Sequence, residues 1–313
     1  MKPKRIALFG WLLAAGAPVV GVGPITGWAQ GTKPERLVFA SAGFHESNRF
    51  WTISRPDHLQ FDPFLETLLE VDPKTAEYTP RLAVKYSISP DFMEWTFHLR
   101  KGVQFHNGFG EFTARDVVHS HALMVRQDST ATLGPFWRTV EEVRTPDNYT
   151  AVFRFKNPTT PSLLYNFSRA GDLRIVSKAQ WDKGGLEGFD KRPAGTGPYQ
   201  YAGRKSGLNV TFTRAPSHWR DKAAFKDLQF RLAREEATRL ALLLSGDAHI
   251  GDLPRELQKD AISRGLKRFS SSFPVDWVSV YMGGQYYLPG DPAFKKEVPW
   301  TDKRVRQALN IPV

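Results

Sequence analysis

The amino-acid sequence predicts an α/β fold with a mixed sheet, and two patterns carry this prediction. The first is a period-two alternation of apolar residues, which puts Trp95, Phe97 and Leu99 on one face of a strand. The second is helical spacing, in which apolar residues recur every three or four positions. Because segments of both kinds alternate along the chain, a fold that packs helices on a sheet is favoured.

Strands are predicted at short apolar or alternating runs. In chain order they cover residues 37–40, 95–99, 149–155, 208–212, 228–232 and 277–282. Alternation puts Leu208, Val210 and Phe212 on one face of the fourth strand. The third strand follows a turn that begins at Pro146. The last run, 277–282, is expected to be buried on both sides.

A first helix is predicted directly after Thr113. The pair Thr113 and Asp116 has the spacing of a capping box, which satisfies free backbone N–H groups at a helix start. The apolar face of this helix is predicted to contain Val118, Ala122 and Val125.

Three further helices are predicted downstream. The apolar face of the next one is predicted to consist of Ala237, Leu240, Ala241 and Leu244. Gly246 is expected to end it, since glycine readily adopts the left-handed cap conformation. Pro254 opens another helix, which Gly265 ends. The last begins at Asp302 and meets Pro312, which a helix interior does not accommodate.

Residues 1–29 are predicted to be a secretory signal peptide. Three basic residues precede an apolar stretch from residue 6 to residue 22, and small residues at Gly27 and Ala29 favour cleavage before Gln30. The alternative is a retained membrane anchor. Because the stretch is short and interrupted by glycine and proline, cleaved export is favoured.

Composition excludes several function classes. The chain has 313 residues and no cysteine, which rules out thiol catalysis, disulfides and lipid attachment through cysteine. The leader holds three basic residues and no acidic one, so its removal lowers the net charge from +11 to +8. Basic and acidic residues interleave along the remainder, whereas nucleic-acid-binding proteins concentrate basic residues on one stripe. Nucleic acid is therefore not expected as a partner.

Catalytic and metal motifs are not evident in the sequence. It contains no nucleophile elbow, phosphate-binding loop, dinucleotide fingerprint or zinc-protease motif. Four histidines cluster in sequence: His98, His106, His119 and His121. His119 and His121 are two positions apart on a predicted helix, about 200° around its axis, so they do not face one ion. Neither a metal site nor enzymatic activity is expected.

Five ordered motifs extend from residue 64 to residue 310. The opening one covers residues 64–83, and the most specific one covers residues 95–118, with Asn107-Gly108 near its middle. Gly195-Thr196-Gly197-Pro198-Tyr199 is the third, followed by residues 242–250 and 302–310. Together these segments resemble the family-5 extracellular solute-binding proteins, which serve ABC importers of peptides, nickel and related solutes. Most of the motif residues are expected to determine the fold and not to contact a ligand.

The resemblance implies a class II periplasmic-binding-protein-like fold. Residues 30–70 and 190–313 would form a first lobe, and residues 71–189 a subdomain inserted into it. Family members continue into a second lobe that is missing here, so the chain is expected to be truncated at Val313. The third motif, called the glycine motif below, and the turn at Asn107 would determine the path of the backbone in this lobe.

The resemblance also implies the function and the partners. The protein would capture a peptide-like or related small solute in the periplasm and deliver it to the transmembrane subunits of an ABC permease. It would act as a monomer without a cofactor. Ligand-facing positions are expected after the first strand and after the strand 277–282, where α/β clefts present loops. They are Phe44, His45, Glu46, Trp51, Tyr281, Gly283 and Gly284.

Two other functions remain open at this point. An exported hydrolase with a similar cleft would require a nucleophile and base that the sequence does not reveal. A basic module that interacts with anionic envelope surfaces would use the net charge of the exported chain.

Overall fold

The computed structural model describes residues 19–20, 34–52, 59–72, 74–220, 222–269, 299 and 302–309. Two compact units divide the chain, residues 1–275 and residues 276–313. The described part of the second unit is residue 299 and the segment 302–309. Within the described residues, no helix has both the length and the apolar character needed to cross a bilayer.

The described elements are short strands and helices in alternation. The strands are β1 (Val19–Val20), β2 (Arg36–Ser41), β3 (Leu69–Val71), β4 (Tyr78–Pro80), β5 (Ala83–Ile88), β6 (Glu94–Leu99), β7 (Val140–Asp147), β8 (Thr150–Phe155), β9 (Tyr199–Lys205), β10 (Asn209–Arg214), β11 (Asp227–Leu232), β12 (Ile250–Gly251) and β13 (Arg268–Phe269). The α-helices are α1 (Ala114–Met124), α2 (Gly134–Trp137), α3 (Lys178–Lys191), α4 (Glu236–Ser245), α5 (Arg255–Ser263) and α6 (Lys303–Leu309). The 3-10 helices are Phe50–Thr52, His106–Gly108, Pro161–Phe167 and Arg169–Gly171.

A five-stranded sheet in the order β12-β2-β11-β10-β9 forms one layer. Strand β2 runs parallel to β11 and β12, while β9, β10 and β11 pair antiparallel, so the predicted mixed sheet is confirmed. Strand β2 is buried on both faces. Leu37 and Phe39 join the main hydrophobic core, whereas Val38 and Ala40 join a second core that also contains Leu243 from α4.

A four-stranded antiparallel sheet, β5-β6-β8-β7, forms a second layer. Its inner face carries Trp95, Phe97 and Leu99, all buried as the alternation predicted. They share the main core with the five-stranded sheet, and Phe167 packs 4.5 Å from Phe97 between ring centroids. His98, between the buried residues of β6, is exposed on the outer face.

The two remaining described strand pairs are small. Strands β3 and β4 form an antiparallel ribbon, in which Leu69 faces Pro80 and Val71 faces Tyr78. Strand β1 pairs antiparallel with β13 and falls within residues 1–29. The signal peptide itself stays a prediction.

Helix ends follow the predicted signals. Thr113 and Asp116 form a capping box at the start of α1. Gly246 ends α4 with a φ of 80°, and Gly265 follows α5 with a φ of 92°. Pro254 precedes the first residue of α5, and α6 begins next to Asp302. The predicted strand 277–282 lies outside the described residues.

The predicted apolar face of α1 is wrong. Ala122 is exposed and Val118 and Val125 are only half-buried, while Val117 and Met124 are fully buried. The buried face is rotated by about one residue. The rotation arises because polar Ser120 belongs to it: its hydroxyl donates to the Asp116 carbonyl at 2.7 Å and accepts the Val176 N–H at 3.0 Å.

The predicted face of α4 is wrong for a related reason. Ala237 and Ala241 are exposed, whereas Arg239 is buried. The Arg239 guanidinium donates to the carbonyls of Ala233 and Arg234 at 2.8 and 2.7 Å. A charged side chain is therefore part of the packed face, which a pattern of apolar residues does not detect. In strand β10, Leu208 is likewise misassigned, because it lies before the strand and is 60% exposed.

A buried ion pair joins the segment before β3 to the segment before β5. Arg81 donates from Nε to Glu66 Oε1 at 3.0 Å, and both side chains are fully buried. Trp219 Nε1 donates to the other carboxylate oxygen at 2.8 Å, and His218 Nε2 lies 3.6 Å from it. Burial by itself raises the pKa of Glu66, but the Arg81 charge and the contacts from His218 and Trp219 outweigh it and lower this pKa to about 2. The carboxylate is thus ionised at neutral pH.

The glycine motif packs directly against the segment that carries Glu66. A Cβ atom on Gly195 would lie 1.7 Å from the Phe64 carbonyl oxygen, and one on Gly197 would lie 2.5 Å from the Pro63 oxygen. The Gly197 N–H donates to the Phe64 carbonyl at 3.1 Å. His106 donates from its backbone N–H to Gly195 and from Nε2 to Gly197, each at 2.8 Å. Three of the sequence motifs therefore meet here.

Three histidines are held neutral by burial. Burial lowers the pKa of His106 and of His119 to about 4 each, and it also lowers the pKa of His121. His119 stacks on Trp181, with 5.0 Å between ring centroids, and His121 Nε2 donates to the Trp137 carbonyl at 3.1 Å. Among the described residues no cluster could hold a metal ion.

We expect Gly195→Ala to lower the free energy of unfolding by about 3 kcal/mol or more, since its methyl group overlaps the Phe64 carbonyl. Gly188→Ala is the matched control, because a Cβ there meets no atom within 4 Å and helix α3 favours alanine. Urea unfolding followed by circular dichroism measures both. Equal midpoints for the two variants would contradict the close approach.

We expect stability to decline as the pH falls from about 6.5 towards 4. The folded pKa values of His106 and His119 lie below the unfolded value of 6.5, so the unfolded chain binds more protons in this window. Each histidine changes the free energy of unfolding by up to about 1.4 kcal/mol per pH unit. Glu66 stabilises the fold above pH 4.5, so its contribution is lost only as the pH falls further towards 2.

Thermal unfolding at several pH values across this range measures how steeply stability falls with pH. His119→Phe keeps the ring contact with Trp181 and removes one of the three buried histidines, so the fall of stability with pH should become about a third less steep. His98→Gln is the control, because its side chain is exposed to water in both states. An unchanged slope in His119→Phe would show that its burial does not affect protonation.

Candidate functional site

The loop that follows strand β2 holds the first group of predicted ligand-facing residues. Strand β2 lies between two parallel neighbours, β11 and β12, so the ends of three strands meet at one edge of the sheet. In α/β sheets the crevice outside the carboxyl ends of the strands is where ligands bind. Residues 42–49 leave β2 at this edge.

Asp190, near the end of helix α3, anchors this loop. Its Oδ1 accepts the Asn48 N–H at 2.7 Å, and its Oδ2 accepts from Arg49 Nε at 3.1 Å. The Asn48 side-chain amide donates to the Asp190 carbonyl at 2.6 Å. Three bonds from one residue fix the loop against the helix.

Arg204, on strand β9, is the second anchor. Its Nη2 donates to the Ser47 carbonyl and to Asn48 Oδ1, both at 3.2 Å, and to Gln60 Oε1 at 3.3 Å. Burial lowers the pKa of Arg204, while the charges of Tyr201, Glu46 and Asp190 counter that effect. The loop is therefore held from two sides by residues of opposite charge.

The structure brings Phe44, His45 and Glu46 together in this loop. Phe44 is half-buried and packs against the main core. His45 Nδ1 accepts the Ser47 N–H at 3.2 Å. Glu46 is exposed and its Oε1 accepts the Gly207 N–H at 3.0 Å, which links the loop to the turn between β9 and β10.

Trp51 has a different environment from the loop residues. Its side chain is fully buried, and its ring lies 5.1 Å from Phe50, 5.7 Å from Phe189 and 5.9 Å from Trp181 between centroids. It supports the loop from within the core. Tyr281, Gly283 and Gly284 lie outside the described residues. A role in ligand binding stays a prediction for all seven positions.

A cavity of about 560 Å³ opens beside the loop. Its lining residues are Glu46, Arg49, Leu186, Glu187, Asp190, Lys191, Arg204 and Ser206. The sequence interpretation identified Glu46 and missed the other seven, because they come from segments more than 130 positions downstream or have no motif. Only the tendency of loops to gather at strand ends could have indicated them.

Charged side chains of both signs line this cavity. Three are acidic and three are basic, so the cavity can pair with both a cationic and an anionic group of a small solute. Ser206 is the one hydroxyl among the lining residues, and no histidine lines the cavity with it. A serine–histidine pair is therefore not formed by these residues.

A mixed sheet with a charged cavity beside its strand ends is the arrangement in which α/β proteins hold small ligands. The model of the bacterial extracellular solute-binding proteins, family 5, matches residues 77–312. The chain belongs to this family.

Relatives and solved structures agree with this assignment. The dipeptide-binding protein of Escherichia coli (strain K12) is 26% identical over 313 aligned positions, which cover 91% of this chain and 55% of the relative. DppA from Helicobacter pylori, solved with the peptide STSA, is 24% identical with a TM-score of 0.63 and covers 73% of this chain and 48% of its own. HbpA2 from Haemophilus parasuis is 25% identical with a TM-score of 0.65 and covers 74% and 49%.

These comparisons confirm the predicted class II periplasmic-binding-protein fold. The chain spans about half the length of the curated relatives it matches. The relatives are solute-binding proteins and not enzymes.

We expect Asp190→Ala to loosen the loop and to lower the free energy of unfolding by about 1–3 kcal/mol, because it removes two hydrogen bonds, one of them charged at both ends. Hydrogen exchange at the Asn48 amide should accelerate at least about tenfold, which corresponds to about 1.4 kcal/mol of local stability. Mass spectrometry of peptides that cover residues 42–52 measures the exchange.

Asp182→Ala is the matched control. Asp182 lies on the same helix and pairs with Lys178, but its side chain is 59% exposed, so its removal should cost about 0.5 kcal/mol or less. Exchange in the loop that stays slow in Asp190→Ala would refute its anchoring role.

Proposed function

We propose that this chain is part of the substrate-binding component of an ABC importer, and that it captures a peptide-like or related small solute. Membership of the family supports the proposal, as does similarity to a dipeptide-binding protein and to a binding protein solved with a peptide. The observation that carries it is the cavity beside β2, where a rigidly held loop presents charges of both signs.

The proposed mechanism is capture between two walls. Residues 42–49 and the cavity would form one wall, and closure of a hinged partner lobe would bury the solute before it passes to the transmembrane subunits of a permease. The partner relationship follows the family and is part of the proposal. We also propose that the protein acts as a monomer.

The lobe division is proposed together with this mechanism. All strands of the five-stranded sheet come from residues 36–41 and 199–251, which supports a first lobe formed by residues 30–70 and 190–313. All strands of the four-stranded sheet come from residues 83–155, which supports an inserted subdomain at residues 71–189.

A periplasmic location is proposed for the mature protein. The basic and apolar start of the sequence supports export, and the E. coli relative SapA is described as a periplasmic-binding protein. Cleavage before Gln30 is part of this proposal.

The geometry favours this function over an exported hydrolase. The lining residues include Ser206 but no histidine that could act as its general base. No feature of the cavity therefore supports hydrolysis.

We expect the chain to bind dipeptides with a dissociation constant in the millimolar range. Micromolar binding corresponds to about −8 kcal/mol, and an open wall that supplies half of this would give about −4 kcal/mol. Titration of the ¹⁵N-labelled chain with Ala-Ala should shift the amides of residues 43–47 and Gly207 and approach saturation. N-acetylated Ala-Ala should bind more weakly, because it lacks the cationic group that would pair with Glu46.

Glu46→Gln tests the role of that carboxylate and should weaken Ala-Ala binding several-fold. Glu236→Gln is the matched control, since Glu236 is exposed on helix α4 and does not line the cavity. If no amide near the loop shifts, or if the shifts are the same in Glu46→Gln, the cavity is not the solute site.

A further inference from the structure

Helix α5 and the residues after it form a basic surface distinct from the cavity. Residues 255–269 contain five basic and two acidic side chains, a net charge of +3. Arg255, Lys259 and Ile262 are exposed and spaced by four and three positions, so they lie along one stripe of the helix. The opposite side of the helix, which includes Ala261, packs into the second core.

The chain turns back at the end of this helix. Gly265 adopts a φ of 92°, its N–H donates to the Ile262 carbonyl at 3.0 Å, and the Leu266 N–H donates to the Ala261 carbonyl at 3.0 Å. Leu266 is buried and anchors the turn. The exposed residues Lys267 to Phe269 therefore leave from the C-terminal end of α5.

Apolar side chains are exposed among the basic ones. Ile262 is 47% exposed and Phe269 is 38% exposed. We call the set Arg255, Lys259, Ile262, Lys267, Arg268 and Phe269 the α5 surface. None of these residues lines the cavity beside Glu46 or the smaller one at Arg126.

The basic charges of the α5 surface are not neutralised by neighbouring carboxylates. In this segment Arg264 pairs with Asp260 at 3.2 Å, but the described residues supply no ion pair to Arg255, Lys259, Lys267 or Arg268. The outer face of the four-stranded sheet differs, because Arg154 there pairs with both Glu94 and Glu141. The α5 surface thus combines unpaired positive charge with exposed apolar side chains.

We propose that the α5 surface binds the headgroup region of an anionic phospholipid bilayer. Charge complementarity supports this occupant, since four long basic side chains can each reach a phosphate while Ile262 and Phe269 enter the interface. A fluid layer of headgroups does not require a shaped recess in the protein surface. This surface would hold the protein near a membrane without any contact to the solute cavity.

Co-sedimentation with vesicles tests the proposal with the full chain. We compare vesicles of phosphatidylcholine alone with vesicles that also contain phosphatidylglycerol. The apolar stretch at the start of the chain contributes to both, so the excess binding to anionic vesicles isolates the electrostatic part. Raising the ionic strength from about 0.1 M to about 1 M should remove most of this excess, because the Debye length falls from about 10 Å to about 3 Å.

Variants that replace lysine with glutamate test whether the α5 surface is the part of the protein that binds the vesicles. Each basic residue next to an anionic membrane strengthens association about fivefold, so Lys259→Glu with Lys267→Glu should weaken it at least about 25-fold. Lys85→Glu with Arg115→Glu makes the same change in net charge at exposed sites on β5 and α1, and should change binding by less than about twofold. Lys259→Gln with Lys267→Gln provides a milder pair that preserves the comparison if the reversal impairs folding.

Three results would overturn the proposal. They are equal binding to neutral and anionic vesicles, equal losses in the α5 and control pairs, and an excess of binding to anionic vesicles that persists at high ionic strength. If the α5 surface instead binds an acidic protein or a nucleic acid, the anionic vesicles will show no excess binding. That result also overturns the proposal.

Discussion

The buried pair of Glu66 and Arg81, with Trp219, joins three segments of the chain that lead into β3, β5 and β11. Removing one partner of such a pair typically costs about 3–5 kcal/mol, because the other charge is left without compensation. Arg81 lies at the entry to the four-stranded sheet and Trp219 precedes β11 of the five-stranded sheet. Asp62 and Arg174 form another buried ion pair, with 2.8 Å between Oδ1 and Nη1. Distant segments of the chain are thus joined by charges that are excluded from water.

The structure gives a physical reason for the family motifs near this ion pair. Gly195 and Gly197 are glycines because the backbone of residues 63–64 occupies the space of a side chain. His106, from the most specific motif, donates to both of them and is held neutral by burial. These motifs therefore describe the scaffold that relatives share. They carry little information about the solute, which the loop after β2 and the cavity beside it contact in the proposed mechanism.

The two proposed functions depend on two features at the surface of the scaffold. The cavity beside Glu46 is formed by a loop that Asp190 and Arg204 hold rigid, so its charges need little reorganisation when a solute arrives. The α5 surface lies on a helix whose inner face belongs to the second core. Both are supported by packed elements, which keeps the positions of their charged groups defined.

The sequence by itself determined five of the described strands (β2, β6, β8, β10 and β11), the ends of α1, α4 and α5, and the family, because alternation, capping boxes and glycine turns act over a few positions. It misplaced the inner faces of α1 and α4, where Ser120 and Arg239 are buried with their hydrogen bonds satisfied. It indicated Glu46 but not Asp190 or Arg204, which reach the same loop from more than 140 positions away. Only the tertiary structure decides such pairings. A local sequence pattern does not show which distant residue will form a hydrogen bond with a buried polar group.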